Sequence, residues 1–252
     1  MKQRSNKTIV LEFYKYVVGE RNSSLIDTYV SDHYIQHSPS LKVGKAGLLE
    51  AIEYLKKLPE PKEKKSPIIS AIEDGDFVMV QLDLAFMGNR KSVIDIFRLQ
   101  DGMVVEHWDA IQDRLEQTGT QVHIHAGMMV IEDIEQTEMN KSLIQRVFHE
   151  VIQHLEVENK YVSPDYTEHN PEVMNAGDRL DTYLSDTTRR LTTKVHRILG
   201  EGNLVLVQSE GKKSSKPFVF YDLFKIKTEQ IVEHWSVEQE IPNVMAHANG
   251  MI

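Results

Sequence analysis

Apolar positions fall at helical spacing in two stretches that lie about half a chain apart. Ile9, Val10, Phe13, Tyr14 and Val17 form one stripe; Leu143, Ile144, Val147, Phe148, Val151 and Ile152 form the other. Each predicts an amphipathic helix. A short second helix carries Leu25, Ile26, Tyr29 and Val30. A third follows Gly44 with Leu48, Ile52 and Leu55, matched later by Leu180, Tyr183 and Leu184. Beyond the helices the pattern turns to alternation. Residues 77–86 and 92–99 alternate and are rich in β-forming side chains, and Asp101-Gly102 marks a hairpin into 103–112. The later counterparts are 204–209, 217–226 and 230–239. Helices followed by an antiparallel meander predict an α+β fold, with N-terminal helices packed on one face of a curved antiparallel sheet. A bent sheet closed by helices makes a cone, and an apolar pocket with a few convergent polar groups is the usual small-ligand site.

The pattern occurs twice because the sequence does. Tyr34-Ile35-Gln36-His37-Ser38-Pro39 returns as Tyr166-Thr167-Glu168-His169-Asn170-Pro171. Asp95-Ile96-Phe97-Arg98-Leu99 returns as Asp222-Leu223-Phe224-Lys225-Ile226, and Val105-Glu106-His107-Trp108 as Val232-Glu233-His234-Trp235. Asn6-Lys7 rhymes with Asn140-Lys141, and His125-Ala126-Gly127-Met128 with the stretch from His247 to Met251. The offset drifts from about 134 residues to about 123, too long a period for a solenoid. Two whole domains are expected: 1–130, a linker at 131–137, and 138–252.

The 252 residues, 40% hydrophobic and 27% charged, suit two cores of ordinary size. No cysteine is present, which removes disulfides, thiolate metal sites and cysteine nucleophiles. The net charge of −9 argues against nucleic acid, since the densest basic run, Lys62, Lys64 and Lys65, sits beside Glu60 and Glu63. No apolar run is long enough for a membrane span, and the polar start lacks a signal-peptide pattern, so the cytoplasm is the expected location.

Strand alternation selects the chemistry. Within 105–111, Val105, His107, Asp109 and Ile111 share one face, and Glu106, Trp108 and Ala110 the other. On the hairpin partner, Asp95 and Phe97 are assigned to the cavity, because Arg98 and Lys225 suit solvent. If the register agrees, Asp95, His107 and Asp109 converge inside an apolar cone. Burial then raises the carboxyl pKa and lowers that of the imidazole, which brings an acid–base pair towards neutral pH. Trp108 and Trp235 read as packing or as a ligand platform. Glu106 and Glu233 read as exposed partners of basic residues. His123 with His125, and His33 with His37, are weak metal pairs without a third ligand. No phosphate loop or dinucleotide fingerprint occurs, and neither a metal nor another cofactor is expected.

The string from Asp95 to Asp109 resembles the last hairpin of SnoaL-like proteins of the nuclear transport factor 2-like superfamily, and Tyr34 to Pro39 resembles the loop before their third helix. The likeness covers nearly all of each copy. It implies two cone-shaped domains of cystatin-like α+β fold, forming a pseudo-dimer within one chain, with a further homodimer open to it. Asp109 maps to the acid–base aspartate of polyketide cyclases, with His107 and Asp95 as catalytic companions. Tyr34, His37 and Trp108 then border the pocket, as do Tyr166, His169, Asp222, His234 and Glu238 in the second copy. Ser236 stands where Asp109 should recur, and Glu238 is the candidate replacement. The expected function is cofactor-free acid–base chemistry next to a carbonyl, on a small apolar or carbonyl-containing ligand: aldol-type cyclisation, isomerisation or dehydration. The alternatives are a pocket that only binds or carries an apolar ligand, and an interaction scaffold.

Overall fold

The computed structural model describes residues 4–59, 66–86, 88–114, 129–170, 173 and 179–252. Lys62, Lys64, Lys65, His123, His125 and Pro171 lie outside them. In the first copy, α1 (Asn6–Glu12) begins where the Ser5 side chain accepts from Thr8 N–H, and it buries Ile9 and Val10. It runs on as a π-helical segment, Phe13–Gly19, that buries Phe13 and Val17. A short α2 (Ile26–Tyr29) leads into β1 (Val30–Gln36), and α3 (Gly44–Leu55) follows. Strands β2 (Ile68–Asp74), β3 (Phe77–Phe86), β4 (Asn89–Gln100) and β5 (Met103–Asp113) complete the unit. The second copy repeats the plan. Its α4 (Thr137–Ile152) and α5 (Leu180–Ser185) accompany β6 (Val162–Glu168), β7 (Leu191–Glu201), β8 (Leu204–Lys213), β9 (Lys216–Lys227) and β10 (Gln230–Glu240).

The strand orders are β1-β5-β4-β3-β2 and β6-β10-β9-β8-β7. Each sheet is mixed, which corrects the antiparallel expectation: β1 runs parallel to β5, and β6 to β10. Tyr34 to Gln36, expected in a loop, are the end of an edge strand, and Val30 opens that strand instead of closing a helix. At Asp101-Gly102 both residues have positive φ, as a two-residue primed turn requires, and Gln100 pairs with Met103 across it.

Both faces of each sheet are covered. One face packs on the helices through Val78, Val80, Phe97, Leu99 and Val104, or through Val205, Val207, Phe224 and Ile226 in the second copy. The other faces meet each other: Ile72, Met79, Ile94, Ile96, Trp108 and Ala110 share a core with Leu199, Leu204, Leu206, Val219, Tyr221, Leu223 and Val237. Double burial explains why β3 and the start of β8, Leu204 to Val207, read as almost continuous apolar runs.

Contacts at the rim of this shared core are reciprocal. Lys7 Nζ bonds Glu201 at 2.7 Å, and Lys141 Nζ bonds Asp74 at 2.7 Å. Asn6 Nδ2 donates to Gly75 O, and Asn140 Nδ2 to Gly202 O. Ile111 N donates to Gln239 Oε1, while Glu238 N donates to Gln112 Oε1. The repeated Asn-Lys pair is therefore the device that holds each helix start to the hairpin turns. Asn grips its own copy and Lys reaches the other. No helix among the described residues is long and apolar enough to cross a membrane.

Candidate active site

The register brings the three expected residues together. Asp95 pairs with Asp109 and Phe97 with His107 across β4 and β5, so all four point to the helix-covered face. A bulge at Val105 interrupts the alternation, with Leu99 paired to Val104 and Arg98 to Glu106. His107 Nε2 lies 3.0 Å from Asp95 Oδ1, and His107 Nδ1 lies 3.0 Å from Gln36 Oε1. Gln36 Oε1 also accepts from Ser38 N–H at 2.8 Å, which identifies it as the oxygen. His107 Nδ1 must then carry a proton. Gln36 Nε2 donates to the Tyr34 hydroxyl at 2.8 Å, which leaves the phenol's own proton available to the site.

Tyr14 is the member that sequence reading missed. Its hydroxyl donates to Asp95 Oδ2, so Asp95 accepts from a phenol on one oxygen and an imidazole on the other. In the sequence Tyr14 is one more apolar position on the stripe of the first helix. The repeat held the signal, because Phe148 stands at the matching point: Tyr14 meets Phe97 edge-on, and Phe148 meets Phe224 in the same way. Tyr14 projects from the π-helical segment, a distortion that recurs at functional sites.

Asp109 differs from its neighbours. It is buried, and its Oδ1 has no hydrogen-bond partner. Burial pushes the carboxyl up from 3.8 to about 6; His107 opposes the rise, the Asp95 charge adds to it, and the Ser38 side chain and His247 oppose it more weakly. For His107, burial works to lower the pKa, but the hydrogen bond and charge of Asp95, then the charge of Asp109, carry it above its ordinary value. Burial, with Asp95 and Asp109 nearby, holds the Tyr14 and Tyr34 phenols well above theirs. Ligand atoms of Asp95, His107 and Asp109 lie within 4.8 Å of one another, close enough for a cation. Asp95 already spends both oxygens on Tyr14 and His107, so the donor set as it stands favours hydrogen bonding.

The second copy has closed the equivalent position. His234 Nδ1 is 3.0 Å from both oxygens of Glu168, which replaces Gln36, and its Nε2 is 3.2 Å from Asp222. Set between two carboxylates, the imidazole rises to about 9 against the opposing effect of burial. Arg190 grips Asp222 with both guanidinium nitrogens, at 2.7 and 2.5 Å, and overcomes burial to hold that carboxyl down at about 2. Glu168 also binds the Tyr166 hydroxyl. Ser236 accepts from Asn170 Nδ2 at 2.5 Å. Glu238, the candidate replacement acid, accepts from Tyr183 at 2.5 Å and from Lys213 at 2.7 Å. Asp222 and His234 are 0% exposed, whereas Asp95, His107 and Asp109 retain 6%, 8% and 5%. All three groups of the first constellation still touch the outside, whereas in the second the aspartate–histidine pair is sealed and contact with solvent passes to Ser236, at 9%, and Glu238, at 5%.

Three expected pocket residues lie elsewhere. Trp108 follows His107 on the strand and so faces the shared intersheet core, between the His37 ring at 4.9 Å and the Arg197 guanidinium at 3.9 Å. His37 follows Gln36 and turns away from the site for the same reason, bonding Glu106 Oε1 at 3.0 Å. His169 repeats this arrangement with Glu233 and Trp235. Glu106 and Glu233 are partners of basic groups, as expected, but half-buried ones: Arg98 and His37 hold the first, Lys225 and His169 the second. His33 is exposed on β1, about 13 Å from His37 at strand spacing, so that pair cannot share an ion.

No protein-family profile matches the chain, and no curated protein matches it. Solved structures do. TsrD from Streptomyces laurentii is 19% identical, covering 44% of this chain and 91% of its own, with a TM-score of 0.35. IdmH from Streptomyces antibioticus, proposed to be a polyketide cyclase, is 14% identical over 43% of this chain and 92% of its own, with a TM-score of 0.36. A nuclear transport factor 2-like protein from Burkholderia xenovorans LB400 is 14% identical over 45% of this chain and 88% of its own, with a TM-score of 0.37. Each spans close to half of this chain and most of itself.

Proposed function

We propose that the first copy is a cofactor-independent acid–base site that moves a proton on a carbon next to a carbonyl, and that the second copy is its structural companion. The observation that carries this reading is the buried Asp109 carboxyl with one oxygen unbonded, beside a fully bonded Tyr14–Asp95–His107 relay. With a pKa of about 6, Asp109 is largely ionised at pH 7, yet its conjugate acid is within easy reach. As base it takes the proton: the C–H bond breaks, an O–H bond forms on Asp109, and the electron pair moves into an enolate. The Tyr34 hydroxyl, whose own proton is free, donates to the enolate oxygen. Asp109 then returns its proton to carbon in an isomerisation, or to a leaving hydroxyl in a dehydration. In an aldol-type closure, the enolate carbon attacks a second carbonyl and Asp109 protonates the resulting alkoxide.

Exchange of α-hydrogens for deuterium, followed by NMR on a panel of small apolar ketones and β-diketones, tests this. Asp109→Asn is expected to lose about 10²–10⁴-fold, the usual worth of a positioned acid–base group, while Ser236→Ala changes little. The exchange rate should rise with pH through about 6 as Asp109 ionises. An Asp109→Asn variant as fast as the parent would reject the assignment. The second reading is a carrier of apolar ligands, supported by the ring of Phe13, Phe97 and Val80 in the core on that face. It predicts bound ligand in both variants and exchange in neither.

A further inference from the structure

The segment after β10 does not stay with the second copy. It crosses to the first and binds four successive residues there. Asn249 Nδ2 donates to Gln36 O at 2.9 Å, and His37 Nδ1 donates to Gly250 O at 3.1 Å. His247 Nε2 donates to Ser38 O at 2.8 Å, and Ala246 N donates to Pro39 O at 2.8 Å. Met251 is buried in the shared core and anchors the far end. The His247 tautomer is set from within the segment, because Asn249 N–H donates to Nδ1 and leaves the proton on Nε2.

The stretch so held carries part of the candidate site. Gln36 fixes the His107 ring through Nδ1 and the Ser38 backbone through Oε1. Without the crossing segment, the carbonyls of Gln36 and Pro39 would lose the bonds from Asn249 and Ala246, and Ser38 O would keep only the turn bond from Leu41 N–H at 3.2 Å. We propose that this segment is a working part of the first copy's site, with His247 as a positioning residue that holds Ser38 against Asp109 and Gln36 against His107. The second copy thereby contributes to a site whose reacting groups all belong to the first. The inference rests on the reading of Asp109 as the reactive group.

Titratable groups on every neighbouring element act on Asp109: His107 on its own strand, Asp95 on β4, Tyr34 on β1, Tyr14 on the π-helical segment, His247 from the crossing segment and, from the other side of the sheet, Tyr221. Among these His247 pulls the Asp109 pKa down, so its removal should move the midpoint up.

The test compares the parent with His247→Leu, His247→Gln and, as a control, the exposed Val244→Ala. Carbon-13 NMR of labelled aspartate carboxyls reads the Asp109 midpoint without any ligand, and the α-deuterium exchange of cyclic ketones reads activity. His247→Leu should raise the midpoint and slow exchange at least about 5-fold, chiefly in kcat. His247→Gln, which keeps a donor for Ser38 O, should recover most of the rate while the midpoint stays raised. Val244→Ala should match the parent. If His247→Leu does not fold, Asn249→Ala carries the same comparison from the Gln36 side. An unchanged midpoint together with an unchanged rate would overturn the inference. If no ketone exchanges even with the parent, the proposed activity fails, and the midpoint alone still decides whether the segment acts on Asp109.

Discussion

Asp109 is held ready at a cost that Asn would not carry. Its folded carboxyl, at about 6, binds a proton more tightly than its ordinary value of 3.8 allows. Between those two pH values the folded state holds more protons than the unfolded state, so stability falls as pH rises and levels off above about 6. The gap corresponds to about 3 kcal/mol for the buried group. Asp109→Asn should therefore melt higher than the parent above pH 6, with the difference vanishing below about pH 4, even as activity is lost. Calorimetry across that range would show it, and a parallel pH dependence in both proteins would refute it. The Asp95–His107–Asp109 cluster was legible in the sequence, because strand alternation and a hairpin turn fix which residues share a face. His37 was misplaced because that alternation was not extended to a strand the sequence hides, and Trp108 because the resemblance was followed where alternation had already put it on the opposite face. Tyr14 was invisible as chemistry because a phenol on an apolar stripe packs like phenylalanine.

Strands that bury both faces or sit at an edge explain which elements could not be read. β1 (Val-Ser-Asp-His-Tyr-Ile-Gln) is a polar edge strand, and β7 carries irregularities between Thr192 and Lys194 and between Val195 and Arg197 that break its alternation. β2 is buried at its centre, and a pattern with period two cannot mark it. The helices and the central hairpins were plain, since one-sided burial and Asp-Gly turn chemistry act locally. The turn from β7 to β8 shows how tightly the elements are fitted. Gly202 has a φ of +60°, and a Cβ there would sit 2.1 Å from the Glu132 carbonyl of the passing linker. Backbone cannot yield as a side chain can, and Asn203 N is tied to that same carbonyl at 2.9 Å. Gly202→Ala should cost about 1–3 kcal/mol. Gly75→Ala, at the matching turn, has open space and should cost only what its positive φ imposes. Equal losses from chemical denaturation would contradict this.

Sheet-on-sheet packing makes the stability of the two halves a shared property. Leu206 of the second copy is fully buried against the face that carries Met79 and Ile96. Truncating it to Ala should cost about 2–5 kcal/mol. Amide exchange should then quicken in β3 and β4 of the first copy as well as in β8 and β9. Protection lost in the second copy alone would mean that the halves open separately. The reciprocal lysine bridges and the crossing segment explain why duplication could be seen in the sequence, whereas the mutual dependence of the copies could not: it runs through contacts more than a hundred residues apart, such as Lys7 with Glu201. That arrangement also has a consequence for divergence. An assembly of two identical chains alters both of its cavities with every substitution. One continuous chain is free of that symmetry: Asp109, Tyr14 and Gln36 face Ser236, Phe148 and Glu168 as counterparts, while the Trp108 and Trp235 stacks remain alike. Fusion thus lets one half change at these positions without the other, and leaves the surface between them under a single common constraint.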